Sequence, residues 1–137
     1  MTTLNPHMVS ENEKPKTGYK MVVTASGGYG IAVLSIPPKS TVIKTSYQVS
    51  YRGQPAEEKN KDIRLLRTDR ALVVSIAPLS TPNKIESTGS SLRCATHKYH
   101  LGKFAEAYLG PNPVADGCGI HFFEDIRHAK MWTALLR

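Results

Sequence analysis

Long apolar runs are missing from this sequence. The longest are Met21-Val22-Val23, Ile31 to Leu34 and Ala71 to Val74, far short of the ~20 residues that a membrane-spanning helix needs. The first twenty residues contain no apolar core of the kind a secretory leader carries. We therefore expect a protein that is neither secreted nor held in a membrane. Cysteine is scarce. Cys94 and Cys118 are the only two, which excludes a disulfide framework and leaves thiols that are free or metal-bound in a reducing compartment. Acidic residues are also in short supply: 11 Asp and Glu face 18 Lys and Arg, a formal net charge of +7. That excess attracts polyanions such as DNA, RNA, acidic proteins or anionic lipid. The plainer reading is that the charge serves solubility alone.

What is present describes one globular domain. The chain has 137 residues, 40% apolar and 21% charged, enough to bury a core without staples. Residues 1–17 lack apolar periodicity and read as a flexible tail, leaving 18–137 as a single α+β domain. Tyr19 to Thr24 and Ile31 to Ile36 are rich in β-formers and flank Gly27-Gly28-Tyr29-Gly30, the pattern of a hairpin. That glycine cluster lacks the lysine-serine ending and following helix of a phosphate loop. Thr41 to Tyr51 nearly alternates, with Ile43, Thr45, Tyr47, Val49 and Tyr51 sharing one face. Ile63 to Ile76 fits two strands or one bent strand. Residues 52–60 and 78–91 read as loops, and 92–123 as short strands broken at Gly110-Pro111-Asn112-Pro113. Asp125 is a good N-cap for a closing helix with Ile126, Ala129, Thr133 and Leu136 on one stripe.

Two constellations bear on chemistry. Cys94-Ala95-Thr96-His97 and Cys118-Gly119-Ile120-His121 are twin Cys-x-x-His pairs, and thiolate with imidazole is a zinc-ligand set. Residues three apart on a strand point to opposite faces, so Cys118 and His121 converge only if Gly119 bends the chain. Packed Cys and His side chains are the favoured reading, with no metal and no cofactor. A Cys–His dyad would be a nucleophile, but no oxyanion hole or nucleophile motif accompanies it, and we expect no enzyme. Glu124-Asp125 is explained by helix capping. The densest cationic cluster is Lys59, Lys61, Arg64, Arg67 and Arg70, with Arg93, Lys98 and Lys103 forming a second. Tyr47, Tyr51 and Tyr99 are candidate stacking partners for bases. The competing reading is a solvated basic face balanced by Glu57, Glu58, Asp62 and Asp69.

The segment Cys118-Gly119-Ile120-His121-Phe122-Phe123, followed by a helix holding Ala129, resembles the Gly-Ile-His-Phe-Phe ending of a family of uncharacterised domains. That family occurs in giant DNA viruses of amoebae and in pentapeptide-repeat proteins of similar hosts. Arg70 to Ile76 resembles its basic-then-apolar strand, Phe104 to Gly110 its aromatic segment, and Tyr19 to Val23 with Val33 to Pro38 its opening hairpin. The resemblance implies a large amoebal virus as source and supplies no mechanism, since these are domains of unknown function.

The sequence reading is therefore an α+β fold: a mainly antiparallel twisted sheet or small barrel-like sandwich closed by a C-terminal helix. Its function is expected to be binding of double-stranded DNA or chromatin, largely through phosphates, in the host nucleus, the cytoplasmic virus factory or the virion. The alternatives are a protein–protein module or minor virion component, homodimeric in one version, and a cysteine-dependent enzyme.

Overall fold

A computed structural model describes residues 9–11, 13–44, 65–91, 97–109 and 119–135. Among them the chain forms ten strands and one helix. The strands are β1 (Val9–Glu11), β2 (Lys16–Thr24), β3 (Tyr29–Ile36), β4 (Thr41–Lys44), β5 (Leu66–Thr68), β6 (Arg70–Pro78), β7 (Thr88–Ser91), β8 (Lys98–His100), β9 (Phe104–Glu106) and β10 (Ile120–Phe122). The helix, α1, is Ile126–Leu135.

The strands make two antiparallel sheets. One has the order β1-β4-β5-β10, the other β8-β7-β2-β3-β6-β9. The fold is α+β, and among the described residues the strands do not close into a barrel. Two strand pairs run from one sheet into the other. β3 and β6 pair in the larger sheet, and their continuations β4 and β5 pair in the smaller. The corners are the Pro37 to Ser40 turn, where Lys39 adopts φ 70°, and the single residue Asp69. Such corners let one chain segment serve two sheets. Asp69 holds its corner through its carboxylate, which accepts the Thr41 amide at 3.1 Å. A further link joins the sheets where Tyr19 and Phe123 exchange backbone hydrogen bonds at 2.8 Å each.

Alternation decides what each strand buries. Gly18, Lys20, Val22 and Thr24 of β2 point between the sheets, and Tyr19, Met21 and Val23 point the other way. The inter-sheet core collects Val22, Leu34, Ile36, Val42, Leu66, Val73, Ile76, Tyr99, Ile120 and Phe122. A second core lies on the outer face of the larger sheet, where Ala129 of α1 packs with Met21, Ile31, Leu65 and Phe123. The two consecutive phenylalanines thus serve different cores. Gly119 turns the chain into β10 at φ 107°, and a Cβ there would stand 2.5 Å from Leu109 Cδ2 and 3.1 Å from the Thr68 carbonyl, which no L side chain fits.

The hairpin, the strands around 66–78, the buried Ile120 to Phe123 segment and the closing helix agree with the sequence reading. Three details differ. Paired backbone begins before Gly18: Lys16 and Thr17 belong to β2, and Val9 to Glu11 pair with β4. Residues 88–91, which read as loop in the sequence, form β7 between β2 and β8. Ile126, which the helical stripe turns inward, is 37% exposed while Ala129 is fully buried. The alternating run beyond Lys44 lies outside the described residues.

Candidate nucleic-acid interface

Lys59, Lys61, Arg64 and Arg93 lie outside the described residues, as do Tyr47 and Tyr51. Of the remaining expected cations, Arg67 needs correction. The charge pattern puts it on an exposed basic face, and it is 1% exposed. Arg67 is the middle residue of β5, flanked in register by Ile43 of β4 and His121 of β10. Leu66 and Thr68 face the inter-sheet core, so Arg67 faces away from it, but Ile43 beside it is also fully buried. The small sheet is covered on both faces here. A side chain in that position cannot reach a phosphate outside the molecule.

Arg70 is exposed but engaged. Its guanidinium carbon lies 4.2 Å from the centre of the Phe104 ring, and its Nε lies 3.7 Å from Glu106 Oε1. Both partners come from β9, whose register sets Glu106 opposite Arg70 and Phe104 opposite Leu72. Three other cations are similarly answered by carboxylates: Lys16 by Glu124, Lys84 by Glu86 and Arg127 by Asp125.

Lys98 and Lys103 stand differently. Lys98 and His100 are exposed on β8 while Tyr99 between them is buried, and Lys103 is exposed in the turn that follows. The stretch His97-Lys98-Tyr99-His100-Leu101-Gly102-Lys103 contains no carboxylate. Neither lysine forms an ion pair among the described residues. Their backbone is fixed from two sides. Toward β7, the Ser91 amide donates to the His97 carbonyl at 3.0 Å and the Leu101 amide to the Ser87 carbonyl at 2.9 Å. Toward β6, the Gly102 amide donates to the Val73 carbonyl at 2.8 Å and the Val73 amide to the Lys103 carbonyl at 3.0 Å. Lys98 and His100 are therefore held on β8 against β7, and Lys103 on the turn that carries the chain from β8 to β6 and into β9.

Tyr99 is not available to a base. It is 1% exposed, and its ring stacks on His97 with centroids 4.9 Å apart. Lys20 enters the same region from β2. Its Nζ lies 5.7 Å from the Tyr99 centroid and donates to the His121 carbonyl at 3.1 Å. Burial, and then the Lys20 ammonium, push the His97 pKa below its ordinary value. A lone lysine among β-formers gives no signal of this inward position.

The twin Cys-x-x-His pairs are only half described, because Cys94 and Cys118 lie outside the described residues. His97 stacks against a residue of the inter-sheet core, whereas His121 alternates with Ile120 and Phe122 and shares the opposite face with Arg67. Gly119 does bend the chain, but the two imidazoles occupy different faces. Among the described residues no group of three or more His, Cys, Asp or Glu could hold a metal. Asp125 is the expected cap: its Oδ1 accepts the Arg127 amide at 2.8 Å, and Arg127 Nη2 donates to Oδ2 at 2.7 Å. These bonds, the side-chain one foremost, hold the Asp125 pKa at about 2.

An open cleft of about 620 Å³ beside β9 is lined by Asp69, Arg70, Glu106, Ala107, Tyr108 and Leu109. Its charges are mixed. In comparisons with known proteins the chain matches no family model, no curated protein and no solved structure.

Proposed function

We propose that this is a non-enzymatic protein that binds duplex DNA or chromatin through phosphate contacts, with Lys98, His100 and Lys103 at the centre of the surface. The observation that carries the reading is how the fold sorts the cations. Burial withdraws Arg67, and carboxylates answer Lys16, Arg70, Lys84 and Arg127. The β8 edge keeps its positive charge in a carboxylate-free stretch. Condensed counterions released from DNA reward unscreened, exposed cations, and the side chains need no base edge to do so. Exposed Lys14 and Lys39 add charge elsewhere on the surface.

The test is fluorescence anisotropy with a labelled duplex at several salt concentrations. Affinity should fall with salt along a straight log–log line. The Lys98→Ala/Lys103→Ala double variant should flatten that line by about 1.8, at roughly 0.9 for each phosphate that is no longer neutralised. Binding with an unchanged slope in the double variant would move the surface away from β8. Absence of binding at low salt would end the nucleic-acid reading.

A further inference from the structure

The larger sheet ends on one side at β9, and the two edges of that sheet differ in what their outward positions carry. Hydrogen bonds from the Val73 amide to the Lys103 carbonyl and from the Ala107 amide to the Asp69 carbonyl show which residues of this segment face β6. By alternation Lys103, Ala105 and Ala107 turn their backbone groups to β6, and Phe104 and Glu106 turn theirs to the open side. No described strand pairs with that side. β8, at the other end of the strand order, runs into β9 through a turn in which the Lys103 amide donates to the His100 carbonyl at 3.0 Å, and it carries the exposed Lys98, a charge that discourages edge pairing. At β9 the outward positions carry a half-exposed phenylalanine and a glutamate.

We infer that β9 is the seam of a homodimer, in which two copies pair their β9 strands antiparallel about Ala105. This goes beyond the nucleic-acid reading and does not depend on it. With the twofold centred on Ala105, Phe104 of one copy exchanges both hydrogen bonds with Glu106 of the other. Twofold symmetry repeats the exchange on the other side of Ala105. The side chains suit that register. Arg70 lies over the Phe104 ring, so Glu106 of the second copy, placed opposite Phe104, meets a cation already held there. Each Phe104 also comes within diagonal reach of the other, covering two exposed rings. The contact is complementary to itself and uses up the edge in both copies, so along β9 it closes at two chains rather than growing.

Sedimentation velocity of the whole chain, from low micromolar to near-millimolar concentration and without nucleic acid, tests this. We expect a concentration-dependent shift from monomer to dimer. Glu106→Pro removes an N–H that faces the open side and leaves the ladder to β6 its donors. It should abolish dimerisation while far-UV circular dichroism stays that of the native sheet. Glu106→Lys, which sets a cation against Arg70 of the second copy, should weaken the dimer at least tenfold. Lys103→Cys carrying a nitroxide label fixes the register. Four residues of offset at ~3.4 Å and one strand spacing of ~4.8 Å put the two positions about 14 Å apart. A monomer at every concentration, a dimer indifferent to folded Glu106→Pro, or a label separation beyond about 30 Å after allowance for the tethers would each overturn the proposal.

Discussion

Replacing Gly18 by alanine should destabilise the protein only as long as the Phe122 ring is present. Gly18 lies on β2 facing the inter-sheet core, and a Cβ there would stand 2.5 Å from Phe122 Cδ2 and 3.0 Å from Cγ. The ring is fully buried, so it has no solvent side to move into. Overpacking of this kind costs roughly 1–3 kcal/mol, offset by about 0.4–1 kcal/mol from the stiffer unfolded chain. Taken at the middle of each range, the net loss for Gly18→Ala is about 1.3 kcal/mol. Phe122→Ala should cost about 3–5 kcal/mol through reduced burial and the cavity left behind. In the double variant the new methyl meets no ring and fills part of that cavity. Its loss should be close to that of Phe122→Ala alone, a coupling of about 1.3 kcal/mol. Guanidinium denaturation of the wild type, both single variants and the double variant, followed by far-UV circular dichroism, measures the cycle. Losses that add to within about 0.5 kcal/mol would mean that Gly18 and Phe122 do not meet, and the packing of β2 on β10 would have to be redrawn.

Arg67→Ala should lower the unfolding midpoint while leaving the salt slope of any DNA binding unchanged, whereas Lys98→Ala should do the reverse; paired denaturation and anisotropy titrations separate the two. The folded pKa of Asp125, about 2 against an ordinary 3.8, makes its capping contribution complete above pH 3.8 and lost as pH falls through about 2. The Arg127 amide shift, followed by NMR, should titrate with that midpoint, and a midpoint near 3.8 would refute the cap. His97 is held below its ordinary 6.5 by burial first and Lys20 second. Its contribution to stability is therefore present above pH 6.5 and declines as pH falls through the folded value. Lys20→Gln should move the His97 imidazole midpoint part of the way back up, and no movement would remove Lys20 from its surroundings.

Local patterns carry the β2–β3 hairpin, the succession of β5 and β6, Ile120 to Phe123 and the Asp125 cap, because each rests on neighbours in sequence. Thr88 to Ser91 escapes them for a physical reason. Thr-Gly-Ser-Ser has little strand propensity of its own, and Gly89 is there because Val22 leaves no room, with its Cγ2 2.8 Å from where a Cβ would be. Packing against β2 makes that strand, and no window of the sequence contains both partners. Arg67 misleads because alternation tells which side of a strand a residue faces and not whether that side is covered. The same gap hides Lys20, whose inward position depends on Tyr99 and His121, both distant in sequence. Lys98 and Lys103 and the carboxylate-free stretch between them are legible in the sequence, but that neither pairs with a carboxylate among the described residues becomes visible only when the strands are assembled.

The Tyr19–Phe123 bridge has a consequence for the order in which the protein can be made. Lys20 reaches the carbonyl of His121 across 101 residues of chain, and Tyr19 is joined to Phe123 beside it. While the ribosome is still short of β10, the first half of β2 lacks this neighbour and β5 has only β4 on its flank. The β2–β3 hairpin is local and can form as soon as it emerges, but β10 can join only after the whole intervening chain has been made. Closure over so long a loop is slow compared with local pairing, so during synthesis these edges stay open and able to pair wrongly with other nascent chains. Chains cut before Ile120 would keep the hairpin and lose the clasp between the sheets.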